Sequence, residues 1–326
     1  MALSGRSRIS PDRRRVITGT CDRNVKVWNL EDGEQEGTSM EHANEVCGLA
    51  VTRDGTKIIS SDDGGGIKVW DVESHEIVKK WTHPKRGPKI AISPDDRLIA
   101  VAESEENVAI LRLWLFTPWK GDRSTIPSVD GMVDLSPGYG VWSMSFSPDG
   151  KKLACGTYDG DIRAYDVNSG TLILEAHQDW IRDVLWSRDG SRLFSASDDP
   201  HDKTIRCWNT DTGEQIGHPW TGHTDYCIRS LSLSPGGSIL ASASRDRTVR
   251  FWDATTGNPI RQHLQHEGVE AVAAVRFSPS GNFVVSVGGG KIYLWRVPWL
   301  NSIKHQVITS FRRTSVFILI ALSMSC

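Results

Sequence analysis

Histidine, serine and aspartate recur together along this chain, and they are the residue types of a hydrolytic catalytic triad. Two complete sets, each with a tryptophan, are His177, Ser195, Asp202, Trp208 and His223, Ser242, Asp246, Trp252. In a triad the histidine takes the proton of the serine hydroxyl, and the aspartate orients the histidine. A nucleophile is needed once, whereas members of this set recur about every 43 residues. We therefore interpret the sets as structural and expect no catalytic residue.

No other motif of catalysis, nucleotide binding or metal binding accompanies these sets. The sequence has no GxSxG, HExxH, P-loop or GxGxxG motif. The glycine runs at 64–66 and 288–290 precede predicted strands, so they cannot direct helix N-termini at a phosphate. The six cysteines include no CxxC pair, which predicts reduced thiols and a cytoplasmic or nuclear protein. We expect neither a cofactor nor a metal.

The elements that position these residues are short strands joined by tight turns. In residues 222–253, apolar runs at 228–233 and 239–244 flank the turn Ser234-Pro235-Gly236-Gly237. A third strand is predicted at 248–252, where Val249 and Phe251 share one face. Connections this short are compatible only with antiparallel pairing. Such a sheet cannot bury both of its faces alone, which predicts neighbouring sheets of the same kind.

An internal repeat supplies those neighbours. An aromatic residue at the end of the predicted third strand returns about every 43 residues. The seven positions are Trp28, Trp70, Trp114, Tyr165, Trp208, Trp252 and Trp295. Seven sheets in one array are thus expected in place of two separate domains.

With Gly222-His223 at its start and Trp252-Asp253 at its end, the repeat resembles the WD40-repeat family over residues 4–297. The resemblance implies an all-β, seven-bladed propeller of four-stranded antiparallel blades, which we place at residues 1–311. It also implies that the His, Ser, Asp and Trp of a blade form a hydrogen-bonded set inside that blade. The two complete sets then belong to blades five and six.

The other blades depart from the pattern. Blade two has His42, Ser60 and Trp70, but Gly64 stands where the acid is expected, so the acid is displaced by one place. Blade seven has glycines at 288–290 in place of an acidic corner. Blade three is followed by an insertion at 117–136, which we expect to be irregular.

The ends of the chain bear on how the ring closes. Family members commonly close with an N-terminal outer strand, but this chain starts too late to supply one. We expect 303–311 to form the outer strand of the last blade, with closure by side-chain packing between blades one and seven. Residues 312–326 form a short apolar tail, too short for a spanning helix. An extra packed strand, a disordered tail and an erroneous gene boundary are alternatives to a membrane anchor.

Charge composition disfavours some partner classes. The chain has 38 Lys and Arg against 40 Asp and Glu, a net charge of -2. It therefore has no overall attraction to nucleic acid or to an anionic membrane.

Candidate partner-binding residues lie on the rim formed by the loops that precede each first strand and by the corners between second and third strands. They are the Trp, Tyr and cationic residues of those loops, types frequent at interface hot spots. We select Trp142, Trp180, Arg182, Tyr226, Arg229, Arg245, Lys85 and Arg86. The alternative for Trp142 and Trp180 is packing between blades.

These observations predict a non-enzymatic scaffold or adaptor that binds proteins or peptides, as a monomeric propeller within a larger complex. One alternative is a detached sensor propeller of a signal-transducing NTPase system. The other is a propeller enzyme with a site in the central channel, which a deep pocket with one cluster of charged residues would favour.

Overall fold

The computed structural model describes residues 15–30, 32–82, 89–105, 108–115, 128–135, 140–170, 172–177, 180–197, 202–225, 227–297, 304–310 and 321–323. Across these ranges the ordered elements are all β-strands and no helix is present. The strands form seven antiparallel sheets. This confirms the all-β, propeller-type fold class.

Sheets 1 to 3 occupy the first part of the chain. Sheet 1 contains β1 (Arg15–Gly19), β2 (Asn24–Asn29) and β3 (Gln35–Glu41). Sheet 2 contains β4 (Val46–Val51), β5 (Lys57–Asp62), β6 (Gly66–Asp71) and β7 (Ile77–Thr82). Sheet 3 contains β8 (Lys89–Ile92), β9 (Leu98–Glu105), β10 (Val108–Leu115) and β11 (Ser128–Leu135).

Sheets 4 to 7 follow in the same order. Sheet 4 contains β12 (Val141–Phe146), β13 (Lys152–Thr157), β14 (Asp161–Asp166) and β15 (Leu172–His177). Sheet 5 contains β16 (Ile181–Trp186), β17 (Arg192–Ser197) and β18 (Ile205–Asn209). Sheet 6 contains β19 (Ile228–Leu233), β20 (Ile239–Ser244), β21 (Thr248–Asp253) and β22 (Pro259–Gln265). Sheet 7 contains β23 (Val272–Phe277), β24 (Phe283–Gly288), β25 (Lys291–Arg296) and β26 (Lys304–Ser310), and a last strand is β27 (Ala321–Ser323).

The turns between first and second strands follow from their side chains. In the turn after β12, the Ser147 hydroxyl donates to Asp149 at 2.6 Å, and the same Asp149 oxygen accepts the Lys151 backbone N–H at 3.1 Å. Gly150 has a φ of 71°, a conformation that side chains rarely adopt. The spacing Ser-Pro-Asp-Gly therefore reverses the chain locally, without help from the neighbouring sheets.

Each sheet buries both of its faces against neighbouring sheets. In β21, Val249 and Phe251 pack toward sheet 7, whereas Trp252 packs with Phe194 of sheet 5. This is the alternation expected of a pleated strand. Further apolar clusters join successive sheets along the chain. One more cluster joins Val16 and Trp28 of sheet 1 to Val285 of sheet 7, so the first and last sheets also contact each other.

Sheet 3 corrects the expectation of an irregular insertion at 117–136. Strand β11 lies entirely within that insertion and pairs with β10, where Ala109 is opposite Leu135. The insertion therefore contributes the fourth strand of its own sheet. An acidic, weakly apolar segment gives little strand signal by itself, and its pairing with β10 becomes visible only in the folded chain.

Sheet 5 has three regular strands, where four were expected. Its fourth position is taken by residues 214–220, which make only isolated bridges, Ile205 to Trp220 and Trp208 to Gln215. Gly217 has a φ of 70°, and Pro219 has no N–H to donate, so the ladder is interrupted between the two bridges.

The C-terminal segments add strands to two sheets. As expected, β26 is the outer strand of sheet 7 and pairs with β25. β27 lies in the predicted apolar tail and pairs with β1, with Val16 opposite Leu322. Sheet 1 therefore has the order β27-β1-β2-β3, which matches the alternative of an extra packed strand. Closure of the ring through the contact between sheets 1 and 7 stays a prediction.

Candidate functional site

The first candidate site is the buried polar set of sheet 6. The Trp252 indole N–H donates to the Ser242 hydroxyl at 2.8 Å. His223 lies between Ser242, at 2.7 Å from Nε2, and Asp246, at 2.7 Å from Nδ1. Because a carboxylate only accepts, Nδ1 carries the proton, and the Ser242 hydroxyl donates to Nε2. Ser242 has no exposed surface, so its oxygen cannot attack a substrate.

Electrostatics agree with this arrangement. Burial lowers the pKa of His223 more than its hydrogen bond to Asp246 raises it. Burial acts to raise the pKa of Asp246, but the hydrogen bond from His223 and the contacts with Thr248 and the Thr224 N–H leave it well below its usual value. The set therefore contains a neutral imidazole and a carboxylate, joined by directional hydrogen bonds.

Sheet 2 contains an equivalent set, which corrects the expectation that only blades five and six hold complete ones. Trp70 donates to Ser60 at 2.7 Å, and His42 lies between Ser60 at 2.6 Å and Asp62 at 2.9 Å. The acid is displaced by two places from Gly64, and the expected displacement of one place is wrong. Ser60 and Asp62 alternate with Ser61 on one strand, so both point to the same face and reach the two ring nitrogens.

The glycine run of sheet 2 makes room for that acid. The second Asp62 oxygen accepts the backbone N–H groups of Gly64 and Gly66, each at 2.9 Å. A Cβ at Gly66 would lie 2.5 Å from Asp62 Oδ2, and one at Gly64 would lie 2.0 Å from Asn44 Nδ2. The run is therefore a steric requirement of the carboxylate position.

In the other sheets, the described residues show parts of the set. The indole-to-hydroxyl bond recurs as Trp28 to Thr18 at 2.9 Å, Trp208 to Ser195 at 3.0 Å and Trp295 to Ser286 at 2.6 Å. In sheet 7, His266 also contacts Ser286 at 2.9 Å. In sheet 5, Asp202 pairs with Arg206 at 2.9 Å. The side chain of His177 lies outside the described residues, so the set predicted for blade five stays a prediction.

The second candidate site is the central cavity between the first strands of sheets 2 to 7, with a volume of about 510 Å³. In five of these strands, as far as the described residues show, a β-bulge follows the first paired residue. A bulge leaves one residue unpaired and redirects its side chain. The bulge residues are Cys47, Trp142, Arg182, Arg229 and Ala273. All five line the cavity.

Three of the selected rim residues therefore meet at one end of this cavity, and a stack extends outward from them. The Arg182 guanidinium carbon lies 3.7 Å from the centroid of the Trp142 ring. The Tyr158 ring lies 4.3 Å from the same centroid. Tyr158 is 41% exposed and Trp180 is 53% exposed. We call Trp142, Tyr158, Trp180 and Arg182 the rim patch. Trp180 is thus not packed between blades, and Tyr158 was missed because its corner carries no basic or tryptophan residue.

The other selected residues are less informative. Arg229 Nε lies 3.3 Å from Cys227 Sγ, and Cys227 has a φ of 70°, which is strained for a residue with a side chain. Arg245 is exposed at the corner after β20. Tyr226, Lys85 and Arg86 lie outside the described residues.

A buried carboxylate in the cavity wall was also missed. Asp183 accepts from the Ser143 hydroxyl at 2.8 Å and from the Leu231 N–H at 2.7 Å. Burial raises its pKa, opposed mainly by the nearby charge of Arg276. Arg276 donates to Ser230 at 2.8 Å and to the Leu231 carbonyl at 2.9 Å. Asp183 and Arg276 therefore link sheets 4 to 7. The available sequence signal was an acid next to Arg182 in a first strand whose other residues are apolar.

No group of three or more His, Cys, Asp or Glu among the described residues is arranged to hold a metal ion. The same part of the chain has no helix with the length and apolarity to span a bilayer.

The seven packed antiparallel sheets and their buried indole-to-hydroxyl bonds define a propeller-type repeat protein. The family described as "WD domain, G-beta repeat" matches residues 2–29, 33–71, 169–209, 213–253 and 257–296. The "Anaphase-promoting complex subunit 4 WD40 domain" matches residues 90–187. Because the repeats cover more than half of the chain, this protein belongs to the WD40-repeat family.

Several curated proteins are similar in sequence. "WD repeat-containing protein SL1-17" of Schistosoma mansoni is 27% identical over 209 residues, 63% of this chain and 64% of that protein. "WD repeat-containing protein VIP3" of Arabidopsis thaliana is 30% identical over 188 residues, 55% of this chain and 58% of that protein. "Protein transport protein sec13" of Emericella nidulans is 27% identical over 263 residues, 70% of this chain and 83% of that protein. The chain thus covers less than two thirds of the length of the first two proteins.

Proposed function

We propose that this protein is a non-enzymatic interaction scaffold whose rim patch binds a protein or peptide partner. The observation that carries the proposal is the stack of Arg182, Trp142 and Tyr158 at the cavity entrance, with the exposed Trp180 two residues before Arg182 in the chain. Exposed aromatic rings beside an arginine are typical of interface hot spots, because they bury much area at small entropic cost.

The polar groups of the cavity support a scaffold over a propeller enzyme. A catalytic acid or base must reach a substrate, but both oxygens of Asp183 accept hydrogen bonds from the wall. Arg276 is likewise bonded to Ser230 and to the Leu231 carbonyl. Asp183 and Arg276 therefore stiffen the wall, and their polar atoms are engaged in structural hydrogen bonds instead of facing a substrate as an acid and base pair.

We further propose that the protein works as one propeller within a larger protein complex, in the cytoplasm or the nucleus. The relatives named above include a protein transport protein, and one of the two matching families is named after a subunit of a complex. Cys155 and Cys207 are buried free thiols, which fits a reducing compartment. The net charge of -2 disfavours nucleic acid as the main partner.

The test compares two pairs of exposed apolar residues. The double variant Tyr158→Ala/Trp180→Ala removes the exposed rings of the rim patch. The matched control Ile77→Ala/Val78→Ala changes residues that are 42% and 51% exposed on β7. In affinity purification followed by mass spectrometry, we expect the rim variant to lose specific partners that the control retains. The same partner set with both variants would refute the rim proposal.

A further inference from the structure

The charge of the cavity lining is opposite in sign to that of the chain. Among the described residues that line it, the basic ones are Lys89, Arg182, Arg188, Arg229 and Arg276. The acidic one is Asp183. The whole chain has slightly more acidic than basic residues. The cavity therefore concentrates positive charge that composition alone does not show.

Within this set, Asp183 and Arg276 neutralise each other in the wall, and three cations lie at the bulge end. We call Lys89, Arg182 and Arg229 the basic mouth. They come from sheets 3, 5 and 6. Arg182 and Arg229 are bulge residues. Lys89 lies four residues before Ser93, the serine of the turn that follows β8, and this is the position next to the one that corresponds to a bulge residue. The repeat thus brings three cations from separate sheets to one level of the cavity.

Two side chains of the basic mouth, Lys89 and Arg182, lie against the same aromatic ring, and Lys89 Nζ also donates to the Cys47 carbonyl at 3.2 Å. Lys89 Nζ lies 5.8 Å from the Trp142 centroid, the ring on which Arg182 stacks at 3.7 Å. A cation–π contact does not use the N–H donors of a guanidinium as a hydrogen bond to an acceptor atom does. Burial lowers the pKa of Lys89, and the nearby Arg182 lowers it further, whereas Cys47 and Asp63 oppose this. An anion at the mouth would relieve this repulsion between like charges.

We propose that the basic mouth binds an anionic side chain of the partner, a carboxylate or a phosphorylated residue, beside the rim patch. This inference rests on the proposed function, since the anion is presented by the protein or peptide that the rim patch contacts. The planar donors of Arg182 and Arg229 suit the two oxygens of a carboxylate or phosphate. The mouth therefore selects partners by charge, and the aromatic rings contribute contact area.

Two probes test the proposal without a known partner. The first is sodium tripolyphosphate, titrated by calorimetry at constant ionic strength. The second is a set of blocked pentapeptides that differ only in a central phosphoserine, glutamate or lysine, used as competitors. The variant Arg182→Gln/Arg229→Gln removes two charges of the mouth. The matched control Arg53→Gln/Arg97→Gln removes two exposed charges from turns of sheets 2 and 3.

We expect tripolyphosphate to bind the wild type and the control, and to bind the mouth variant at least about tenfold more weakly, since each charge-assisted bond is worth about that factor. The phosphoserine and glutamate peptides should compete, and the lysine peptide should not. Equal affinity of the mouth variant and the wild type, or equal loss in both variants, would overturn the proposal. The proposal would also be overturned if a single-stranded oligonucleotide bound to the basic mouth more tightly than the phosphoserine and glutamate peptides do.

Two further measurements keep the outcomes distinct. If the glutamine variant does not fold, Arg182→Lys/Arg229→Lys retains the charges and should bind with intermediate affinity. Partner capture that still depends on Tyr158 and Trp180, without anion binding, would remove this inference and leave the proposed function. Anion binding with no effect of those two rings on partner capture would remove the proposed function instead.

Discussion

Sheets 2 and 6 contain the same buried hydrogen-bonded set, but they build it from acids at different positions. In sheet 6 the acid, Asp246, belongs to the corner after β20. In sheet 2 the acid, Asp62, is the last residue of β5, and the corner behind it consists of glycines. The distance from the carboxylate to His Nδ1 is 2.7 Å in one and 2.9 Å in the other. The hydrogen-bonded set thus depends on the distance from the carboxylate to the histidine and not on the position of the acid in the repeat. Alignment of the repeats alone therefore assigns the acid of sheet 2 to the wrong position.

Among polar substitutions in sheets 2 and 6, the largest expected effect comes from removing the histidine of either sheet. His223→Ala and His42→Ala each leave a buried serine and a buried carboxylate without their partner. We expect each to lower the free energy of unfolding by about 2 to 4 kcal/mol, with equal losses within error. Denaturant unfolding measures both. The control His263→Ala changes an exposed residue and should cost less than about 0.5 kcal/mol. A much smaller loss for His42→Ala would show that the set of sheet 2 is the weaker one.

The corners should respond in different ways. Gly66→Ala places a Cβ 2.5 Å from Asp62 Oδ2, and we expect it to destabilise by about 1 to 3 kcal/mol through steric overlap. The equivalent position in sheet 6 is Thr248, whose hydroxyl donates to Asp246 at 2.6 Å. Thr248→Ala removes that bond and a longer 3.4 Å contact with His223 Nδ1, creates no steric overlap, and should cost about 1 kcal/mol. Thermal unfolding of the two variants checks the order, and a neutral Gly66→Ala would contradict the steric account.

Acidification should destabilise both sheets in two steps. The pKa values of His42 and His223 are lowered by burial, so below their ordinary value of 6.5 the unfolded chain binds protons first. The pKa values of Asp62 and Asp246 are lowered despite burial, by their hydrogen bonds with the histidines, so the same holds below 3.8. The free energy of unfolding should therefore fall as pH drops below about 6.5 and fall further below about 3.8. In His42→Ala/His223→Ala the first step should shrink, and an unchanged profile would count against neutral buried histidines.

The smallest stability effect is expected at the rim patch. Trp180 is 53% exposed, so Trp180→Ala should change the free energy of unfolding by less than about 0.5 kcal/mol. The equivalent test of a buried ring, Trp252→Ala, should cost about 3 to 5 kcal/mol. A large loss at Trp180 would assign that ring to the scaffold and weaken the rim proposal.

Local sequence signals were sufficient for much of the fold. The turn with Ser147 and Asp149 closes through its own side chains, and strands such as β21 alternate as a pleated strand must. The polar set around Ser242 follows the repeat spacing. The signals failed where a contact joins segments that are distant in sequence, as with β11 in the insertion, β27 on β1, and Asp183 between sheets 4 and 6.

By itself, the sequence determined the sevenfold repeat, the antiparallel strands and the tryptophan of most sheets, because each repeat is a local unit whose turns and pleat need no distant partner. Only the tertiary structure decided that Asp62 is the acid that contacts His42, because Gly64 and Gly66 lack a Cβ and so leave space for the Asp62 carboxylate. It also decided that Arg182 and Arg229 point into one cavity, because bulges redirect their side chains and because the packed sheets bring the first strands together. Residues that are 47 positions apart in the sequence thereby line the same cavity.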